Sequence, residues 1–313
     1  MRRSSLVFGA GFAVLLSAGA LLRPHYRNLF HSVLEVPIAG GEGGSLPLAQ
    51  PEDEHFDAVA LERGRADPAA AGLSAWMVMR HGHLVSEHYA HGFGRDSEVD
   101  FGPAAQALLA LVAGVVVADH TLPAEQLGPF DANAWKASIE RAAQRPYATL
   151  LSRDVWSRLN AARAWIELPA AHAAVPADCC VHARLQDWAR VGALLADQGR
   201  FEGTQIVPTH WIDRLMTQGL GVERSSSAHG PAPFAAPDVI FLRGPGRWRM
   251  WVSPSLHLSV LFGSIVSPSA ASGNTARDNW DETRLPNLVI GAITDRTAPH
   301  GGESLLQQLV PNH

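Results

Sequence analysis

Short apolar runs and long apolar stretches alternate along this chain in a readable order. Residues 74–80 and 84–89 are two runs rich in apolar and aromatic residues, and His81-Gly82-His83 lies between them. This pattern predicts a β-hairpin. The following stretch, residues 104–118, is apolar nearly all round, which is typical of a buried helix.

Further helices and strands follow from spacing and punctuation. Apolar residues at helical spacing predict four more helices, over residues 133–143, 147–159, 185–198 and 211–216. Three strand-like runs come next, over residues 239–242, 248–252 and 256–262, and residues 285–293 predict a closing helix. Trp248 and Trp251 are expected in the core. The order predicts an α+β fold, in which a mostly antiparallel sheet formed by both chain ends is flanked by helices and a reduced helical lobe is inserted between the strands.

The N-terminus predicts export. Arg2-Arg3 precede an apolar run over residues 6–22, which is long enough either for a cleaved signal peptide or for an uncleaved membrane anchor. Either alternative places the remainder on the periplasmic side of a bacterial inner membrane. We therefore predict a signal or anchor segment over 1–30, a flexible Gly-rich linker over 31–54, one domain over 55–300 and a tail over 301–313.

Composition excludes several functions. The 313 residues are 47% hydrophobic and 18% charged, as in folded globular proteins, and a net charge of −5 gives no reason to expect nucleic-acid binding.

Cys179 and Cys180 are adjacent, which favours two unbridged thiols. No cofactor motif is present. The histidines near the hairpin are expected to be solvated turn residues, with zinc binding as the less favoured alternative; they are His81, His83, His88 and His91.

Several phrases, in their order and spacing, carry a resemblance to a known family. They are Trp-Met-Val-Met-Arg-His-Gly over 76–82, Leu-Val-Ala-Gly-Val-Val over 111–116, Ala-Arg-Leu-Gln-Asp-Trp-Ala-Arg-Val-Gly over 183–192, and the strand pair over 249–254 and 256–261. Together they resemble the serine β-lactamase and penicillin-binding-protein family, including its type-C esterases. The resemblance covers roughly residues 58 to 294 and implies a serine nucleophile activated by a lysine in an S-x-x-K motif.

The catalytic positions depart from that family pattern. The only lysine is Lys136, with Asn133 three residues before it, so no S-x-x-K can be written. The resemblance puts Pro103 at the serine position and Gln106 at the lysine position. It puts Pro129 and Asp131 at the tyrosine and asparagine of the Y-x-N motif. Neither a proline nor a glutamine supplies a nucleophile or its base.

The third family motif, on a strand edge, falls at residues 239–241 or, with slippage, at Arg243-Gly244-Pro245. Arg243 with Gly244 is therefore a candidate site for a ligand carboxylate, and a solvated strand-end arginine is the alternative. The family also has a longer segment between the equivalents of Leu122 and Leu127, which forms one wall of its cleft.

The expected function is a catalytically inactive relative at the cell envelope that keeps a scaffold or ligand-binding role. A cell-wall peptide or a small molecule is the ligand that the resemblance implies. The alternative is an active hydrolase of esters or amides with an unrecognised nucleophile, for which Ser97 is the residue to test. A decaying gene product without a selected function is the third alternative.

Overall fold

The computed structural model describes residues 34–168, 174–264 and 281–295. The predicted signal or anchor over 1–30 and the tail over 301–313 lie outside the described residues. Within the described ranges, no helix is long and apolar enough to cross a membrane.

A six-stranded antiparallel sheet forms the centre of the fold. Its strands lie in the order β3-β2-β12-β11-β10-β9. They are β2 (Ala75–Arg80), β3 (His83–Tyr89), β9 (Glu223–Arg224), β10 (Ile240–Arg243), β11 (Arg249–Ser253) and β12 (Leu258–Gly263). The hairpin and the three later strands are confirmed, and β2 pairs directly with β12, so both halves of the chain build this sheet.

The hairpin turn forms where the sequence predicts it. His81 and Gly82 both have positive φ, 47° and 83°, as a tight two-residue hairpin turn requires.

Both faces of the central sheet are covered, which explains why every residue of β2 is buried. Met77 and Met79 contribute to one core, whereas Trp76 and Val78 alternate into a second core on the opposite face. The helices are α1 (Ala58–Arg65), α2 (Ala105–Ala118), α3 (Ala132–Ala143), α4 (Tyr147–Leu151), α5 (Leu185–Ala196), α6 (Thr209–Gln218) and α7 (Arg284–Gly291). Helices α2 and α5 contribute to the first core, and α1 packs with α7 over the second.

These helices match the sequence pattern closely. The predicted helix over 147–159 is continuous but changes geometry, from α4 to a π-turn over Ser152–Trp156 and a 3₁₀ turn over Ser157–Leu159. Helix α1 was not predicted. Trp248 and Trp251 are both 2% exposed, as expected for core residues.

A second, four-stranded antiparallel sheet was missed by the sequence analysis. Its order is β1-β5-β6-β4, with β1 at Leu34–Ile38, β4 at Glu98–Asp100, β5 at Ala164–Leu168 and β6 at Val181–Arg184. The short strands β7 (Arg200–Phe201) and β8 (Thr204–Gln205) form a separate hairpin.

Residues 34–54 belong to the folded domain and are not a flexible linker. Strand β1 pairs along its whole length with β5, and Ile38 and Leu46 are buried in the first core. The glycines that suggested flexibility allow close packing instead: a Cβ on Gly40 would lie 2.3 Å from the carbonyl oxygen of Ala161.

The prediction of two unbridged cysteines is also wrong. Cys179 and Cys180 are joined by a disulfide, with their Cα atoms 3.7 Å apart. Cys180 adopts a left-handed conformation with φ of 70°, and this turns the adjacent side chains toward each other.

Candidate functional site

The turn that precedes helix α2 carries the first candidate positions. The Asp100 carboxylate accepts a hydrogen bond from the Gly102 amide at 2.8 Å, and a 3₁₀ turn over Gly102–Ala104 then leads into the helix. Proline fits the start of a helical turn because the amide it lacks would have no partner there. Pro103 is exposed and Gln106 is half-buried, and the two lie one turn apart on the same side of the helix start.

These two residues open onto a cleft of about 220 Å³. The cleft lies between the start of α2, the segment that leads into β9, and the end of β10. Its described lining residues are Pro103, Ala104, Gln106, Phe130, Gly219, Gly221, Val222, Glu223, Phe241, Leu242 and Arg243. Of the candidate positions from the sequence analysis, Pro103, Gln106 and Arg243 line this cleft, whereas Pro129, Asp131 and Gly244 do not.

The wall opposite Gln106 depends on a glycine. A Cβ on Gly221 would lie 2.5 Å from the backbone oxygen of Gln106, so only glycine lets this segment approach the helix so closely. The approach narrows the cleft on that side.

Pro129 and Asp131 hold structural positions beside the cleft. The Asp131 carboxylate accepts a hydrogen bond from the Ala134 amide at 2.7 Å and so caps helix α3. The Pro129 carbonyl accepts one from the Trp135 indole at 3.0 Å. Of this segment only Phe130, the residue between them, lines the cleft.

Gly244 is packed into the structure and does not line the cleft. A Cβ on Gly244 would lie 2.8 Å from Cβ of Trp248. Its neighbour Pro245 reaches across to Gly102, whose φ is +54° and whose added Cβ would lie 3.1 Å from the proline ring. The turn before α2 and the turn after β10 are thus in direct contact.

Arg243 is engaged by two carboxylates of the protein itself. Its Nε and Nη2 atoms donate to the two oxygens of Glu223, at 2.8 Å and 3.1 Å, and its Nη1 donates to Glu282. Glu282 also accepts from Nε of Arg249 at 2.7 Å. Two guanidiniums and two carboxylates therefore form one alternating network at the end of the sheet.

The network is held in its charged form. Burial raises the pKa of Glu282, but the amide of His229 and the guanidiniums of Arg249 and Arg243 outweigh it and keep this pKa below its usual value. Burial likewise opposes the charge of Arg243, yet Glu223 and Glu282 together raise the pKa of this guanidinium. For Arg249 burial is dominant and lowers the pKa.

Ser97 is placed for a structural role. Its hydroxyl accepts a hydrogen bond from the Gly94 amide at 2.9 Å, and its backbone oxygen accepts one from Leu185 at 3.0 Å. No hydrogen bond joins this hydroxyl to a side-chain base in the described part of the chain. Such a base is what a serine nucleophile needs for activation.

The histidines lie away from the cleft. His81 and His83 are at the β2–β3 turn, where each places Nδ1 2.7 Å from a different oxygen of the buried Glu54 carboxylate. This turn follows Arg80, which pairs with Leu258 at one end of β2. The opposite end of β2, at Ala75, pairs with Gly263, which packs against Trp248 beside the turn that follows β10. Among the described residues, no three His, Cys, Asp or Glu side chains are grouped so that they could hold a metal ion.

Phe130, Glu223 and Glu282, which shape this site or its ion network, were not singled out by the sequence analysis. Phe130 was within reach, because it lies between two positions that the family pattern had marked. The two glutamates gave no local signal, because they are 20 and 39 residues from Arg243 along the chain.

The fold is shared with known proteins, although no sequence comparison finds a relative. The sequence matches no protein-family model and no curated protein. A penicillin-binding protein homologue from Caulobacter crescentus superposes with a TM-score of 0.57 at 13% identity, covering 79% of this chain and 98% of that one. A β-lactamase from Mycobacterium bovis gives 0.55 at 14% identity, with 75% and 99% covered.

A family VIII carboxylesterase gives a TM-score of 0.52 at 11% identity, with 79% of this chain and 98% of that chain covered. These neighbours span almost their whole length on this chain, so the likeness includes both the sheet and the inserted helices. The chain therefore has the fold of the β-lactamase-like and penicillin-binding-protein-like serine hydrolases.

Proposed function

We propose that this chain is a non-hydrolytic protein with the β-lactamase-like fold, which binds a small molecule or a cell-wall peptide at the bacterial cell envelope. One observation carries the proposal. Among the described residues that line the cleft there is no hydroxyl, thiol, amine or imidazole group, and the one carboxylate, that of Glu223, is paired with Arg243. Covalent catalysis of acyl transfer requires a nucleophile and a base within reach of each other.

Two further candidate positions, one beside the cleft and one in it, support the same conclusion. Asp131 is used as a helix cap, and the Arg243 guanidinium is paired inside the protein. A protein that loses nucleophile and base together retains only what binding and fixed dipoles contribute to rate. The cleft itself, however, remains, and a cleft lined by apolar groups and a few polar ones is suited to binding a ligand.

The decisive experiment is acylation by a fluorescent penicillin. We expect the purified full-length chain to form no covalent adduct, while a penicillin-binding protein labelled in parallel does. Turnover of nitrocefin and of short-chain p-nitrophenyl esters should equal that in buffer. An adduct, or turnover that disappears in Ser97→Ala, would establish the active-hydrolase alternative.

The envelope location is a separate part of the proposal and rests on the apolar run over residues 6–22. We expect the chain, expressed in a bacterial cell, to be accessible to a protease added to spheroplasts. Recovery with the membrane pellet would favour an anchor, and release with the periplasmic fraction would favour cleavage. Full protection from the protease in intact spheroplasts, lost on lysis, would contradict export.

A further inference from the structure

The polar groups of the cleft differ in what they leave available to a ligand. Arg243 presents its Nε–Nη2 edge to Glu223 in a two-bond arrangement, and this edge is the one with which arginine normally binds a ligand carboxylate. Glu223 is fixed further by the hydroxyl of Ser227, which donates to it at 3.2 Å. The Glu223 carboxylate thus occupies the position on Arg243 that a ligand carboxylate would take.

The charge of the cleft follows from that pairing. Among the described residues, the guanidiniums of Arg243 and Arg249 are paired with the carboxylates of Glu223 and Glu282. Glu282 is 2% exposed, whereas the Glu223 side chain is 37% exposed and lines the cleft. The Arg243 side chain also lines the cleft but is less exposed, at 26%, and its Nε–Nη2 edge is occupied, so an incoming carboxylate meets the Glu223 carboxylate where it would bind.

Gln106 offers the complementary chemistry. Its side chain lines the cleft, and among the described residues it makes no hydrogen bond. A carboxamide presents donors and an acceptor together, and Oε1 of Glu223, which accepts only from Nε of Arg243, has a further lone pair, whereas Oε2 accepts from both Arg243 and Ser227. Phe130 and Val222 add apolar surface beside these groups.

We propose that the cleft takes an uncharged ligand with a carboxamide beside a small apolar group, and that Glu223 determines this specificity by excluding carboxylates. The ligand amide would donate to Glu223 and accept from Gln106, while its apolar part contacts Phe130. This inference rests on the proposed binding role and gives that role a ligand class. A volume of about 220 Å³ restricts the bound part to roughly the size of an aryl amide.

The test uses benzamide and benzoate, a pair of probes that differ in little except charge. Binding to the full-length chain at neutral pH is measured by ligand-observed NMR titration. We expect benzamide to bind at least tenfold more tightly than benzoate. In Glu223→Gln, benzoate should gain at least tenfold because the Arg243 edge is then held only by a neutral amide.

Two further variants show whether the gain arises in the cleft. Glu223→Gln combined with Arg243→Gln should lose the gain for benzoate, because no guanidinium remains to bind it. Glu202→Gln, which removes a carboxylate outside the cleft, should keep the wild-type preference. Melting temperatures of all variants confirm that they are folded, and the ratio in the wild type stands without any variant.

Several results would overturn the proposal. They are equal binding of the two probes by the wild type, a wild-type preference for benzoate, no binding of either probe, or an unchanged ratio in Glu223→Gln. Failure of the proposed function is a different result, since a penicillin adduct is covalent whereas these probes bind reversibly.

Discussion

The body of helix α2 and the turn in front of it are neighbours in the chain but carry different constraints. Leu108, Leu109, Leu111 and Val112 of the helix are fully buried in the first core. Pro103 in the turn is exposed and packs against little. Replacing a buried residue disturbs a close-packed interior, whereas replacing an exposed one seldom does. Exposed positions of the turn can therefore vary in chemistry while the buried body of the helix maintains the fold.

The largest effect should come from the packing beneath the cleft. The ring of Trp211 fills the space above Gly114, where a Cβ would lie 2.3 Å from it, and its indole donates to the Ala110 carbonyl at 2.9 Å. We expect Trp211→Ala to lower the free energy of unfolding by about 4 kcal/mol. Urea denaturation followed by fluorescence or circular dichroism measures this. Trp211→Phe, which keeps most of the volume, should cost clearly less, and a similar cost for both would contradict the packing argument.

The ion network should give the next largest effect. Glu282→Gln removes a buried carboxylate that Arg249 and Arg243 share, and we expect the free energy of unfolding to fall by about 3 kcal/mol at pH 7. Glu62→Gln, which disrupts only a more exposed pair with Arg65 on α1, should cost well under that. Equal costs for the two variants would show that the buried network does not stabilise the sheet end.

The same variant predicts a pH dependence. The pKa of Glu282 is held below its ordinary value of 4.5, so its charge stabilises the fold above that pH. This contribution is lost as pH falls through the folded-state pKa. The stability difference between wild type and Glu282→Gln should therefore be full at neutral pH and decrease in acid below about pH 4.5. A difference that stays constant down to pH 3 would exclude the lowered pKa.

Asp131 variants test whether this carboxylate caps helix α3 or binds the ligand. Asp131→Ala should lower the free energy of unfolding by about 1 kcal/mol because the cap is lost. Asp131→Asn should lower it very little, because asparagine caps equally well. Thermal unfolding measures both. Binding of benzamide should change in neither variant, and a loss of binding in a fully folded Asp131→Ala would assign this carboxylate to the ligand.

The smallest effect on stability is expected in the turn before helix α2. Pro103→Ser with Gln106→Lys restores the letters of S-x-x-K, yet unfolding should change by no more than about 1 kcal/mol. We expect no adduct with fluorescent penicillin, because neither Pro129 nor Asp131 supplies a tyrosine hydroxyl beside the cleft and the turns at Gly102 and Pro245 pack against each other. If the double variant were labelled while neither single variant was, a serine and a lysine at these two positions would suffice for acylation.

Much of the central architecture was readable from the sequence because it is local. The hairpin was marked by its apolar runs and its glycine turn, helix α2 by a long stretch that is apolar nearly all round, and helix α5 by its periodicity. The four-stranded sheet was not readable. Strand β4 has only three residues, and β1 contains Pro37 and precedes a Gly-rich segment. Its pairing with β5, more than a hundred residues later, decides its structure.

The site divides in the same way. The resemblance singled out Pro103 and Gln106, and both line the cleft because the fixed spacing of a helical turn places residues three apart on the same side. The partners of Arg243 come from two other segments, and their approach depends on how the whole sheet end folds. Charge pairs of this kind have no periodicity, so a single sequence does not reveal them.

The position of strand β1 in the chain limits how far the domain could lie from a membrane anchor over residues 6–22. Only residues 23–33 separate the apolar run that ends at Leu22 from the first residue of the sheet, Leu34. Fully extended, a segment of that length spans roughly 36 Å. A chain held in a bilayer by its first 22 residues would thus keep its domain within that reach of the lipid surface, and would meet only molecules that approach the membrane as closely.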